Sequence, residues 1–186
     1  MNLPNILTCS RIGLTAVFMF LLFAPGATSK GLALLVFLLA SLTDYWDGFL
    51  ARKNNITTDF GKLMDPIADK VLTLSAFLAF VQMGLLPAWM AMVIVARDFF
   101  ITTLRFLMPE HSQAQSARTS GKYKTVLQFC VIVGILIFLV VRETSYWHPE
   151  WTSSALRFIH YSMLFVVAVT LWSGARYIMA NKEIFK

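Results

Sequence analysis

The residues from 43 to 70 read TDYWDGFLARKNNITTDFGKLMDPIADK, an uneven mixture of carboxylates, small residues and cations set between strongly apolar runs. Asp44 and Asp47 are three apart, and Asp65 and Asp69 are four apart. On a helix turning ~100° per residue, each pair falls on one face. Gly48 and Ala51 share the face of the first pair, and Gly61 lies one turn before the second. Two acidic stripes paved with small residues can therefore oppose each other across a short helical hairpin.

Carboxylates crowded at the edge of a bilayer repel one another unless cations neutralise them. A set of oxygen donors without His or Cys suits hard ions, with magnesium or manganese ahead of calcium. Carboxylates bridging two such ions are a recurrent device of phosphoryl transfer, in which the pair clamps a diphosphate during in-line displacement. Gly48, Ala51 and Gly61 would leave room for a nucleotide. The plainer reading makes each Asp a solvated helix-end charge, or a partner of Arg52, Lys53, Lys62 or Lys70. It gives no reason for four of them on two matched stripes.

The run Asp44-x2-Asp47-Gly48-x2-Ala51-Arg52-x8-Gly61-x3-Asp65-x3-Asp69 resembles the signature of the CDP-alcohol phosphatidyltransferase family. That resemblance implies that Asp44, Asp47, Asp65 and Asp69 bind two Mg2+ (or Mn2+) ions, and that these hold the diphosphate of a CDP-linked lipid. It also implies that Gly48, Ala51, Arg52 and Gly61 line the CDP-lipid site, that Asp69 acts as base toward the acceptor hydroxyl, and that CMP leaves. Pro66 sits between the last two aspartates and removes a backbone donor. It is either a benign first-turn proline or a device that reshapes the backbone so that Asp65 points at the metals.

The elements that must position these groups are membrane helices. Of the 186 residues, 58% are hydrophobic and 14% charged, with a mean hydropathy of +0.67. Soluble domains carry ~25% charged residues, so a soluble globule is excluded. Apolar runs of about 20 residues recur at 5–25, 31–52, 61–83, 87–108, 121–142 and 154–180. Pro25-Gly26, Asn54-Asn55, Gly84 with Pro87, the polar stretch 109–120 and His148-Pro149 separate them. Backbone groups in lipid must be satisfied internally, which selects helices, and the alternating segments of a β-barrel are absent. The expected fold is all-α: one domain over 1–186, an integral bundle of six transmembrane helices, with the first run retained as a span.

The net charge of +6 does not signal nucleic acid, because the basic residues lie in short segments between spans. Lys53, Lys62, Arg118, Lys122, Lys124, Lys182 and Lys186 fall on one side, against Lys30 and Arg142 on the other. By the positive-inside rule both termini and the segment 105–124 are cytoplasmic. Cys9 and Cys130 are far apart and read as buried packing residues. His111, His148 and His160 have no metal-ligand spacing, and Trp89, Trp147, Trp151 and Trp172 read as an interfacial belt.

The signature fixes a reaction type and leaves the alcohol open. The opening NLPNILTCSRI resembles that of the phosphatidylglycerophosphate synthase branch of the family, which implies that Asn5 and Thr8, with Arg11, lie beside the nucleotide; helix capping is the other reading of Asn5 and Thr8. Gly121-Lys122-x-Lys124-Thr125-x2-Gln128 resembles the same branch. Arg105, Arg118, Lys122 and Lys124 form a cationic group suited to a dianionic phosphate on a small acceptor, or to anionic lipid headgroups. Arg97 lies inside an apolar run and requires a partner in the bundle. Asp98 is expected to point elsewhere, leaving a catalytic carboxylate, a helix carbonyl or substrate phosphate.

The resemblance thus implies CDP-diacylglycerol and glycerol 3-phosphate as substrates, at the cytoplasmic face of a bacterial inner membrane. Membrane lipid is a further partner, a homodimer remains open, and no nucleic acid is expected. An inositol phosphate or phosphatidylglycerol acceptor stays open within the family. An ion-coupled transporter would need mid-depth carboxylates and inverted repeats, which are absent, and a scaffold would not need aligned aspartates.

Overall fold

A computed structural model describes residues 3–54, 59–107 and 115–180; for 3–9, 44–54, 59–69, 105–107, 115–120 and 122 it describes the backbone alone. Among the described residues the fold is all-α, with six helices and no strand: α1 (Leu3–Phe23), α2 (Ala27–Asn54), α3 (Asp59–Gln82), α4 (Ala88–Leu107), α5 (Gln115–Arg142) and α6 (Pro149–Ala180). Two described stretches are long and apolar enough to cross a membrane, Tyr123–Arg142 of α5 and Pro149–Ala180 of α6. The described apolar parts of α1, α2 and α3 are shorter, namely Ser10–Phe23, Ala27–Thr43 and Lys70–Gln82.

Helix ends follow local chemistry. Gly84 has φ 70° and closes α3: its N–H donates to the Val81 carbonyl at 3.0 Å, and that of Leu85 to the Phe80 carbonyl at 2.9 Å. This is the paired bonding of a left-handed glycine cap, and Phe80 and Leu85 are both buried beside it. Gly26, with φ 95°, supplies the left-handed residue between α1 and α2. Pro149 occupies the first position of α6, where its missing N–H costs nothing, and Glu150 follows at the positive end of the helix dipole.

The largest boundary differences from the sequence reading are at the starts of α5 and α6. α5 begins at Gln115, inside the polar stretch expected to be a connection, and α6 begins at Pro149 rather than at 154. Polar helix turns carry no apolar periodicity, so hydropathy alone misses them. Pro66 is the eighth residue of α3 and so lies beyond its first turn.

The chain divides into two compact units, 1–79 with 133–149, and 80–132 with 150–186. In the first, α1 packs on α2. Arg11, Thr15, Phe18 and Leu22 form the buried stripe of α1, and Ala33, Phe37 and Ala40 that of α2. The rings of Phe18 and Phe37 meet at 5.5 Å between centroids. In the second unit Met90, Ile94, Ile101 and Leu104 of α4 are buried, as are Ile159, Met163, Val166 and Tyr177 of α6. Phe20, Met92, Phe158, Phe165 and Leu171 point outward. So much exposed apolar surface marks an exterior made for lipid. Cys130 is exposed, not buried as expected, because its position on α5 belongs to this outward face.

Candidate functional site

The four aspartates of the acidic signature lie near the facing ends of α2 and α3, separated by a connection of four residues, 55–58. Helices joined by so short a connection run antiparallel. Counting back from the end of α2 at Asn54, Asp47 lies ~10 Å and Asp44 ~15 Å along the axis, at a rise of ~1.5 Å per residue. Counting forward from the start of α3 at Asp59, Asp65 lies ~9 Å and Asp69 ~15 Å along. Asp44 and Asp47 thus lie in the last three turns of α2, and Asp65 and Asp69 in the first three turns of α3. Gly48 and Ala51 continue on α2 toward the connection, as Gly61 does on α3. The side chains of Asp44, Asp47, Arg52, Asp65 and Asp69, and the surroundings of Gly48, Ala51 and Gly61, lie outside the described residues.

A donor set of four carboxylates fits a hard divalent cation by its chemistry. Among the residues whose side chains are described, no group of three or more His, Cys, Asp or Glu comes together.

On α1, Asn5 and Thr8 are helical, with side chains outside the described residues, and Arg11 is buried with its carbonyl accepting from Thr15 Oγ1 at 2.9 Å. Of the basic residues expected at the acceptor, Arg105 ends α4, and Arg118 and Lys122 lie in the first turns of α5; their side chains are likewise outside the described residues.

Lys124 is described, and it is buried. Its ammonium donates to Asp98 Oδ1 on α4. The same carboxylate oxygen is 3.4 Å from Arg97 Nη1, and Arg97 Nη2 donates to Ser173 Oγ on α6 at 3.0 Å. Ser173 Oγ in turn donates to the Thr170 carbonyl at 2.9 Å. One chain of polar contacts, Lys124–Asp98–Arg97–Ser173, thus ties α5, α4 and α6 within the second unit. Gly174 makes room for it: a Cβ built there would stand 3.3 Å from Arg97 Cγ and 3.4 Å from Arg97 Nε.

This corrects the expectation for Asp98. Adjacent helix positions diverge by ~100°, but a guanidinium on a long stem reaches back to its neighbour's carboxylate, so Asp98 does contact Arg97. Asp98 and a serine hydroxyl are among the partners of Arg97. Sequence reasoning passed over Ser173, Thr170 and Gly174, although small and hydroxylated residues at i, i+3 and i+4 within an apolar helix signal close, hydrogen-bonded helix packing.

A second buried cation lies in the first unit. Lys30, in the first turn of α2, donates to the Leu22 carbonyl and, at 2.9 Å, to the Ala24 carbonyl, at the end of α1. Lysine is unfavourable at the positive end of its own helix and favourable at the negative end of α1.

The profile of the CDP-alcohol phosphatidyltransferase family matches residues 1–172. A protein of Bacillus subtilis (strain 168) named CDP-diacylglycerol--glycerol-3-phosphate 3-phosphatidyltransferase is 35% identical over 197 aligned residues, covering 100% of this chain and 97% of its own. A protein of the same name from Escherichia coli (strain K12) is 35% identical over 188 residues, covering 97% of this chain and 95% of its own. One from Shigella flexneri serotype 5b (strain 8401) is 34% identical, with the same coverage.

Proposed function

Because the chain belongs to the CDP-alcohol phosphatidyltransferase family, we propose that it is the enzyme that transfers a phosphatidyl group from CDP-diacylglycerol to sn-glycerol 3-phosphate, giving phosphatidylglycerophosphate and CMP. The observation that carries this reading is the acidic signature itself, split between the consecutive helices α2 and α3. Near full-length similarity to proteins named for this reaction supports the acceptor.

Asp44, Asp47, Asp65 and Asp69 are the residues that would hold two divalent ions, magnesium or manganese. Bound there, such ions would supply the positive charge that the diphosphate and the displacement need. Asp69 takes the proton of the acceptor's primary hydroxyl as its oxygen bonds to the phosphorus bearing diacylglycerol. The bond from that phosphorus to the CMP oxygen breaks in line, and CMP departs with the electron pair. Gly48, Ala51 and Gly61 admit the nucleotide, with Asn5, Thr8 and Arg52 beside it.

Arg105, Arg118, Lys122 and Lys124 receive the phosphate of the acceptor. The bond to Asp98 orients the Lys124 ammonium within this cationic group. The contact chain to Arg97 and Ser173 fixes the helices that carry this cationic group. All six helices are read as spans of a single bundle, because each has at least the 20 residues that ~30 Å of hydrocarbon requires. The acidic ends of α2 and α3 then face the cytoplasm of a bacterial inner membrane.

Purified protein given CDP-diacylglycerol and a panel of alcohols tests the reading. Metal-dependent CMP release, with phosphatidylglycerophosphate identified by mass, is expected with glycerol 3-phosphate. A different lipid product, or none, would refute it.

A further inference from the structure

Two polar side chains in the second unit lie buried without a hydrogen-bond partner: Nε2 of Gln128, 3% exposed, and Oγ1 of Thr170, fully buried. Thr170 is unlike its neighbours in kind. Thr15, Ser41, Thr102, Thr103 and Thr125 each turn the hydroxyl back onto the carbonyl four residues earlier. That local bond is the ordinary resting place for a helical hydroxyl in an apolar setting. Thr170 Oγ1 forgoes it. A buried amide or hydroxyl left this way is costly unless something polar meets it.

The position of the two groups says what. Gln128 is one turn beyond Lys124 on the same face of α5, and Thr170 is one turn before Ser173 and Gly174 on the same face of α6. Lys124 and Ser173 are joined through the adjacent residues Asp98 and Arg97, so they stand at one level. α5 and α6 are linked by six residues, 143–148, and run antiparallel. Moving from Lys124 to Gln128, and from Ser173 to Thr170, therefore goes the same way along the unit. The orphaned groups form a polar layer one turn, ~5–6 Å, from the Lys124 level. That is about the reach from the phosphate of a three-carbon ester to its middle hydroxyl.

We propose that Gln128 and Thr170 recognise the non-reacting C2 hydroxyl of glycerol 3-phosphate, making them specificity-determining residues for the acceptor. The inference rests on reading Lys124 as a contact to the acceptor phosphate. Gln128 Nε2 donates to the C2 oxygen, and the C2 hydroxyl donates a hydrogen bond to Thr170 Oγ1. A site built this way discriminates against an acceptor lacking the hydroxyl, because the amide and hydroxyl are then left unpaired.

The test compares kcat/KM for sn-glycerol 3-phosphate and for 3-hydroxypropyl phosphate, which keeps the phosphate and the reacting hydroxyl but lacks the C2 hydroxyl. Wild-type protein, Gln128→Leu and the near-isosteric Thr170→Val are measured, each with its Tm. Gln128→Leu is expected to lower kcat/KM for glycerol 3-phosphate roughly ten- to a hundredfold while leaving the analogue within about twofold, so the preference collapses. Thr170→Val should act in the same direction, and Tm should not fall, since an unpaired buried polar group has been removed. Equal losses on both acceptors, or an unchanged preference in both variants, would mean a structural role or a bound water and would overturn the inference alone. Failure of wild-type protein to use glycerol 3-phosphate would overturn the acceptor assignment and this inference with it.

Discussion

Lys124 of α5 donates its ammonium to the carboxylate of Asp98 on α4, with side-chain exposures of 5% and 16%. A pair this buried is sensitive to the loss of one partner, because the other is left charged away from water. A cycle of Asp98→Ala, Lys124→Ala and the double variant, read by thermal unfolding in detergent, should give a coupling of about 1–3 kcal/mol. Coupling near zero would show that the contact does not hold the helices.

Asp44→Asn, Asp47→Asn, Asp65→Asn and Asp69→Asn should each lower transfer ~100-fold or more, since each removes a charge central to the reaction. Retention of about a tenth of activity by two of them would refute a shared metal site. EDTA should stop turnover, and magnesium or manganese should restore it.

Lys122→Ala should raise the apparent KM for glycerol 3-phosphate about ten- to a hundredfold, from the ~1.5–3 kcal/mol of a charge-assisted contact. Binding of CDP-diacylglycerol should change little. The opposite pattern would assign the residue to the nucleotide site or the lipid surface.

Lys30→Met leaves the Leu22 and Ala24 carbonyls at the end of α1 without their donor, so Tm in detergent should fall below that of wild type. An unchanged Tm would show that this contact does not hold α1 to α2.

In a background with Cys9 and Cys130 replaced by serine, Gln115→Cys should react with an impermeant maleimide from the cytoplasmic side only. Labelling solely from the outer side would invert the topology.

The helices that carry the acidic signature were legible because residue type at helical spacing announces them: Asp44 and Asp47 fall on α2, and Asp65 and Asp69 on α3. The apolar runs and their glycine and proline breaks likewise announced six helices. Where α5 begins was not legible, since polar turns continuing an apolar helix look like a connection. Nor were the contacts of Arg97 and Lys30, because helical angles say where a stem leaves the backbone, and not where a long side chain ends.

Gly174 carries a consequence for how this chain can change over generations. Its missing side chain is the space that the Arg97 stem occupies, with 3.3 Å left for any Cβ. Arg97 is tethered at its far end by Ser173 and Asp98. Even an alanine at 174 therefore asks the Arg97 stem to shift by a few tenths of an ångström, and a larger residue asks more. The two sites are linked by order of substitution: shortening at 97 opens the space that growth at 174 then fills, and a large side chain at 174 stands in the way of the arginine's return.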